Sequence, residues 1–209
     1  PVMGYVGAYT YAAVISGYTS FCLGAKSVCP DVQMKVQFTG SWYDEKEEKT
    51  AAEALINAGC DLISQHADSM GAPTACENAG IPNVAYNGET GKNTFVIASR
   101  IDWVPYYEYM LDCVMNGKDI DADWTGTLAN GAVKITALGS AAAAGTQAKL
   151  DAVKAKIVDG TLKIFDCSKF TVKNPKADTS EFSKAASITM DADGHLTAYV
   201  ADVDDAGDY

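Results

Sequence analysis

The chain has 209 residues, 48% hydrophobic and 21% charged, a globular balance with room for one large core or two small ones. That excludes a disordered tail, a collagen and a disulfide mini-scaffold, and no apolar run reaches the ~18 residues of a membrane-spanning helix. A net charge of −11, from 16 Lys and Arg against 27 Asp and Glu, opposes the phosphates of nucleic acid, and no basic stripe offsets it.

The chain opens on Val2-Met3-Gly4-Tyr5-Val6-Gly7-Ala8, a short apolar run of the buried-strand kind. Residues 11 to 29 put Val14, Ile15, Tyr18, Phe21, Cys22 and Ala25 on one helical face, and Pro30-Asp31 stops that helix. Met34 to Phe38 reads as a second strand. Asp44-Glu45-Lys46-Glu47 has the form of a capping box for a helix that buries Ala51, Ala52, Leu55 and Ile56 and closes at Gly59. The pattern repeats in a strand at Asp61 to Gln65, a helix from about Ser69 to Asn78, and strands at Asn83 to Tyr86 and Thr94 to Ala98. A helix from Trp103 to Met115 is expected to turn Tyr107, Met110, Leu111 and Val114 inward.

This alternation predicts an α/β fold: a parallel sheet with Val2 to Ala8 central and helices on both faces. After about residue 117 the character changes. Gly126 to Lys134 reads as a crossing segment with one short strand, and Gln147 to Val158 as a helix with Leu150, Val153 and Ile157 on one face. Leu162 to Phe165 is strand-like. Ser187 to Met190 and Leu196 to Val200 suit a hairpin turning at Asp193-Gly194.

The cysteines Cys22, Cys29, Cys60, Cys76, Cys113 and Cys167 include no C-x-x-C pair and read mostly as small buried hydrophobes. Cys22 and Cys29 sit two turns apart on a helix, too far to bridge.

Ligands of open parallel sheets bind beyond the carboxyl ends of the strands. The residues there are Tyr9 and Tyr11, then Trp42, then Gln65, His66, Asp68 and Ser69, then Asn87, and last Trp103. Aromatic faces mixed with amides, hydroxyls and a carboxylate suit a flat polar ligand such as a nucleobase, or the face of a sugar. The same residues also have structural uses: Asp68 or Ser69 as a helix N-cap, Asn87 as a left-handed turn residue. No dinucleotide fingerprint, phosphate loop or nucleophile elbow occurs, and two histidines without suitable partners do not make a zinc site. The chemistry is that of binding, with no catalytic residue, metal or cofactor expected.

At these residues the chain resembles the basic membrane protein family, solute-binding lipoproteins of ABC importers similar to the purine nucleoside receptors. The matching stretches are Gly4-Tyr5-Val6-Gly7-Ala8-Tyr9, Gly40-Ser41-Trp42-Tyr43-Asp44, Ile63-Ser64-Gln65-His66-Ala67-Asp68-Ser69, Ala85-Tyr86-Asn87 and Asp102-Trp103-Val104-Pro105-Tyr106-Tyr107. The resemblance covers roughly residues 1 to 165. It implies a type I periplasmic-binding-protein fold, with residues 1–125 as the second lobe. Residues 126–209 would be the return crossing and C-terminal part of a truncated first lobe. It also implies an extracytoplasmic protein with a lipid anchor on its full-length precursor, a small purine-like ligand and an ABC transporter permease as partner. Stacking on the base falls by analogy to Tyr9 or Tyr11. The acidic residue that grips ribose in nucleoside-binding relatives corresponds to Asn87, and a lysine near the return crossing corresponds to Ala129. Both departures favour a nucleobase or another small polar solute. The rival readings are a small α/β enzyme using His66 and Asp68, and the sensor domain of a transcription regulator.

Overall fold

The computed structural model describes residues 1–165 and the backbone of two strands at 185–190 and 196–201. In chain order the elements are β1 (Val2–Gly7), α1 (Ala12–Val28), β2 (Gln33–Phe38), α2 (Glu45–Asn57), β3 (Leu62–His66), α3 (Gly71–Ala79) and β4 (Asn83–Tyr86). There follow β5 (Phe95–Ile101), α4 (Val104–Met115), β6 (Val133–Ile135), α5 (Thr146–Val158), β7 (Ala185–Met190) and β8 (Leu196–Ala201). The chain divides into two compact units, one of Pro1–Ala8 with Gln33–Leu162 and the other of Tyr9–Val32 with Lys163–Tyr209.

The first unit holds a six-stranded sheet in the order β2-β1-β3-β4-β5-β6. Strands β1 to β5 pair in parallel, as the alternation predicts, and β6 runs antiparallel to β5. The opening strand is interior but lies second from the edge. The edge position of β2 fits its composition: Gln33, Lys35 and Gln37 alternate with Met34, Val36 and Phe38, and none of these residues is buried.

Helices α2 and α3 pack over one face of this sheet on a core that includes Val6, Ala52, Leu55, Ile63, Ala72 and Cys76. Burying Leu55 and Ile63 contributes about 1.5–3 kcal/mol each. The close approach depends on small residues. A Cβ on Gly4 would sit 2.5 Å from Cδ1 of Ile63, and one on Gly71 would sit 2.3 Å from the carbonyl oxygen of Glu45.

Helix α2 starts as expected at Asp44, whose carboxylate accepts the Lys46 and Glu47 amides at 3.1 and 2.9 Å. The reciprocal acceptor of the Asp44 amide is Glu48, one residue beyond the capping-box position, at 3.2 Å. Helix α3 ends on Gly80 in the left-handed conformation.

Other expectations are corrected. Helix α4 buries Cys113 and turns Tyr107, Leu111 and Val114 outward, at 53%, 61% and 68% exposure. Its sequence is apolar nearly all round, so two helical stripes compete. The stripe of Tyr106, Tyr109 and Cys113 faces inward, with both tyrosine rings against Trp124. Helix α5 has no buried residue; Leu150 and Ile157 are half-buried and Val153 is exposed. Residues 162–165 form no strand, because the Leu162 amide bonds to the Lys156 carbonyl and closes the end of α5 instead.

In the second unit β7 and β8 pair antiparallel, with Ile188 opposite Tyr199. The turn at Asp193-Gly194 and Cys167 lie outside the described residues. Cys60, Cys76 and Cys113 are buried, Cys22 and Cys29 are half-buried, and all of these are free thiols.

Candidate functional site

The strand order reverses at β1, with β2 on one side and β3 on the other. At such a switch point the strands' carboxyl ends open a crevice. His66 ends β3 there, residues 67–69 follow it, and the segment is held by backbone contacts. Ala8 donates to the His66 carbonyl at 3.1 Å, and the Asp68 amide donates to the Trp42 carbonyl at 2.8 Å. The Ser69 amide lies 3.2 Å from each carboxylate oxygen of Glu48. Neither capping candidate is the N-cap of α3: that residue is Met70, which makes no side-chain cap, while the Ser69 hydroxyl oxygen one residue earlier accepts the Gly71 amide at 3.0 Å. Asp68 is left exposed, and its carboxylate has no hydrogen bond or ion pair among the described residues.

Beside it lies a run of rings. Trp42 meets His66 edge-on at 5.8 Å, and His66 lies 4.4 Å from Tyr86. Burial holds the His66 imidazole below its ordinary pKa, although the Asp68 charge pulls the other way. Burial also raises the Tyr86 phenol, with Asp68 adding to the shift. Burial thus favours the neutral imidazole, and no hydrogen bond joins His66 to Asp68.

The ends of β3 and β4 border a cavity of about 390 Å³ whose lining includes Gln65, Asp68, Ser69, Tyr86, Asn87 and Glu89. Asn87 adopts φ 58°, the left-handed turn conformation anticipated from its residue type. Its side-chain oxygen accepts the Ile101 amide at 3.1 Å, so only its Nδ2 group is left to donate. Gln65 is buried, and its oxygen accepts from Asn83 Nδ2 at 2.9 Å. The Oδ1 atom of Asn83 is buried with no hydrogen-bond partner among the described residues.

Trp103 caps α4, contacts Tyr106 and Tyr107, and, like Trp42 and His66, is not among the residues lining this cavity. Tyr9 and Tyr11 belong to the second unit, where their rings stack on each other at 4.7 Å. Sequence reasoning missed Tyr86 and Glu48. Tyr86 ends a strand, the same signal that picked out His66. Glu48 is in helical step with Ala51, Ala52 and Leu55, a carboxylate on an apolar stripe. Chemically the arrangement offers a free carboxylate for N–H donors, an amide donor and aromatic faces for a planar ring.

Residues 2–167 match the model of a family described as ABC transporter substrate-binding protein, PnrA-like. A purine-binding protein of Brucella abortus is 33% identical over 98% of this chain and 58% of its own length. A Haloferax volcanii protein named as an ABC transporter glucose-binding protein is 35% identical over 59% of this chain and 33% of its own. The chain thus spans little more than half of one relative and a third of the other. Among solved structures, an ABC transporter solute-binding protein from Conexibacter woesei superposes with a TM-score of 0.62 at 21% identity, covering 78% of this chain and 56% of that one. This likeness is one of fold.

Proposed function

The chain belongs to the family of PnrA-like ABC transporter substrate-binding proteins, and from that premise we propose that it binds a purine nucleobase or nucleoside and delivers it to an ABC importer. The observation that carries this reading is the Asp68 carboxylate, without a hydrogen bond or ion pair among the described residues, lining one cavity with Tyr86, the last ring of the Trp42–His66–Tyr86 run. Asp68 accepts from the N–H groups of a base edge, Asn87 Nδ2 donates to a ring nitrogen or carbonyl, and the aromatic rings cover a face. Burial disfavours the charged form of His66, which weakens it as a competitor for Asp68. The purine-binding relative matches along nearly the whole chain and the glucose-binding one along little more than half, which favours a base over a sugar.

In this reading residues 1–125 form one lobe and 126–209 the return crossing and part of the other. Ligand contacts favour the closed arrangement of lobes, and the permease recognises that state. The ligand leaves unchanged, so the protein is not an enzyme. It works outside the cytoplasm, on a lipid-anchored precursor.

The test is calorimetry of the complete gene product against adenine, guanine, hypoxanthine, their nucleosides and a panel of sugars. Saturable binding of a purine, released intact, is expected. Binding of a sugar with no response to any purine overturns the ligand class.

A further inference from the structure

A second cavity of about 400 Å³ lies beyond the turn of Asn87, Gly88 and Glu89, which it shares with the first, and is completed by Arg100, Ile101 and Thr136. Its polar groups are unevenly committed. Thr136 is occupied, its hydroxyl accepting the Ala98 amide at 3.0 Å and donating to the Ala137 carbonyl at 3.1 Å. Asn87 has only Nδ2 left. Arg100 is exposed on β5, and its guanidinium makes no hydrogen bond or ion pair among the described residues.

Its surroundings explain why. Asp102 is attracted to Arg100, but its carboxylate is held by Lys134 and by the Val104 amide. Lys134 stands directly opposite Arg100 in the β5–β6 ladder. Two like charges in that relation repel, and the Asp102 carboxylate is bonded to Lys134 alone of the two. A chain of net charge −11 therefore keeps, in the lining of a cavity, a fork of N–H donors that makes no hydrogen bond or ion pair among the described residues.

We propose that the second cavity is an anion subsite, in which Arg100 and Asn87 Nδ2 hold a phosphate or carboxylate borne by the ligand of the first cavity. The inference rests on the purine reading above and sharpens it. The preferred ligand is an anionic purine derivative, nucleotide-like, rather than a neutral nucleoside. The cleft is polarised accordingly, with Asp68 at the end that takes N–H donors and Arg100 at the end that takes the anion. Glu89 lines both cavities and moderates the attraction.

The experiment compares adenosine and guanosine with their 5′-monophosphates by calorimetry on the complete gene product, with inorganic phosphate as a competitor. A monophosphate is expected to bind about tenfold to a hundredfold tighter than its nucleoside, the scale of a charge-assisted contact. Arg100→Ala should bring the two ligands level, Arg100→Lys should keep part of the difference, and Glu89→Gln should widen it. A larger gain from a purine carrying a carboxylate assigns the subsite to that anion instead and keeps the proposal. Nucleosides that bind as tightly as their monophosphates, or a preference that survives Arg100→Ala, overturn the subsite and leave the purine reading standing. Binding of neither ligand overturns both.

Discussion

Both carboxylate oxygens of Glu48 lie 3.2 Å from the Ser69 amide nitrogen, and the Glu48 side chain is fully buried. A carboxylate in that setting is costly unless its lone pairs are used. It uses them on the Ser69 amide and on the Asp44 amide at the head of its own helix. One side chain thus joins the start of α2 to the loop that presents Asp68.

Glu48→Ala leaves both amides without that acceptor and opens a cavity. A loss of about 2–4 kcal/mol is expected in urea unfolding. Glu48→Gln keeps an acceptor oxygen and should lose less. Equal losses would mean that packing, not hydrogen bonding, sets the cost.

The same group sets a pH dependence. Burial raises the Glu48 carboxyl above its ordinary value of 4.5, so the folded state holds that proton more tightly than the unfolded chain. The stability this contributes is complete below 4.5 and is lost as the pH rises through the raised value. His66 acts in the opposite sense. Its pKa is lowered from 6.5, so its contribution is present above 6.5 and is lost as the pH falls through the lowered value. Unfolding measured from pH 4 to pH 8, roughly spanning the two ordinary values, should show wild type gaining stability relative to Glu48→Gln as the pH falls. A difference independent of pH contradicts the assignment.

Gly71 and Gly24 make a contrasting pair. A Cβ at Gly71 would meet backbone atoms at 2.3 and 2.8 Å, whereas one at Gly24 would meet nothing within 4 Å. Gly71→Ala should destabilise by about 1–3 kcal/mol through overpacking. Gly24→Ala should stabilise by about 0.5–1 kcal/mol through helix propensity. Thermal unfolding midpoints moving the same way in both variants would contradict this packing of α2 against α3.

The thiols should separate by reactivity. Burial pushes the Cys76 thiol up to about 12, and Cys60 is raised for the same reason. Alkylation of native protein followed by mass spectrometry should mark half-buried Cys22 and Cys29 first and Cys76 only on unfolding. Early labelling of Cys76 would contradict its burial.

The parallel sheet was legible because strands and helices alternate with clear periods, and β1 to β5 follow that reading. The inward face of α4 was not, since Tyr106, Tyr109 and Cys113 form a stripe as apolar as Tyr107, Leu111 and Val114. Only tertiary contact with Trp124 decides between them. At the rim, residue type and strand-end position singled out His66 and Asp68, while their split into ring contact and free carboxylate needed coordinates. Asn87 was legible as a turn residue, but the loss of its acceptor to the Ile101 amide was not. Tyr86 carried the same strand-end signal as His66. Its importance lies in a ring contact that no one-dimensional pattern encodes.

The proposed ligand site lies at the carboxyl ends of β3 and β4. The most direct measurement is the affinity of the complete gene product for its best purine in the Tyr86→Ala variant, with Glu48→Gln as a control for loop geometry. Losing the ring should weaken binding by about 1–3 kcal/mol, the scale of base stacking on an aromatic side chain, or about tenfold to a hundredfold. Asp68→Asn should weaken it as well, because an amide supplies one acceptor oxygen where the carboxylate supplies two. Purine affinity unchanged in both Tyr86→Ala and Asp68→Asn would contradict the claim and place the ligand elsewhere.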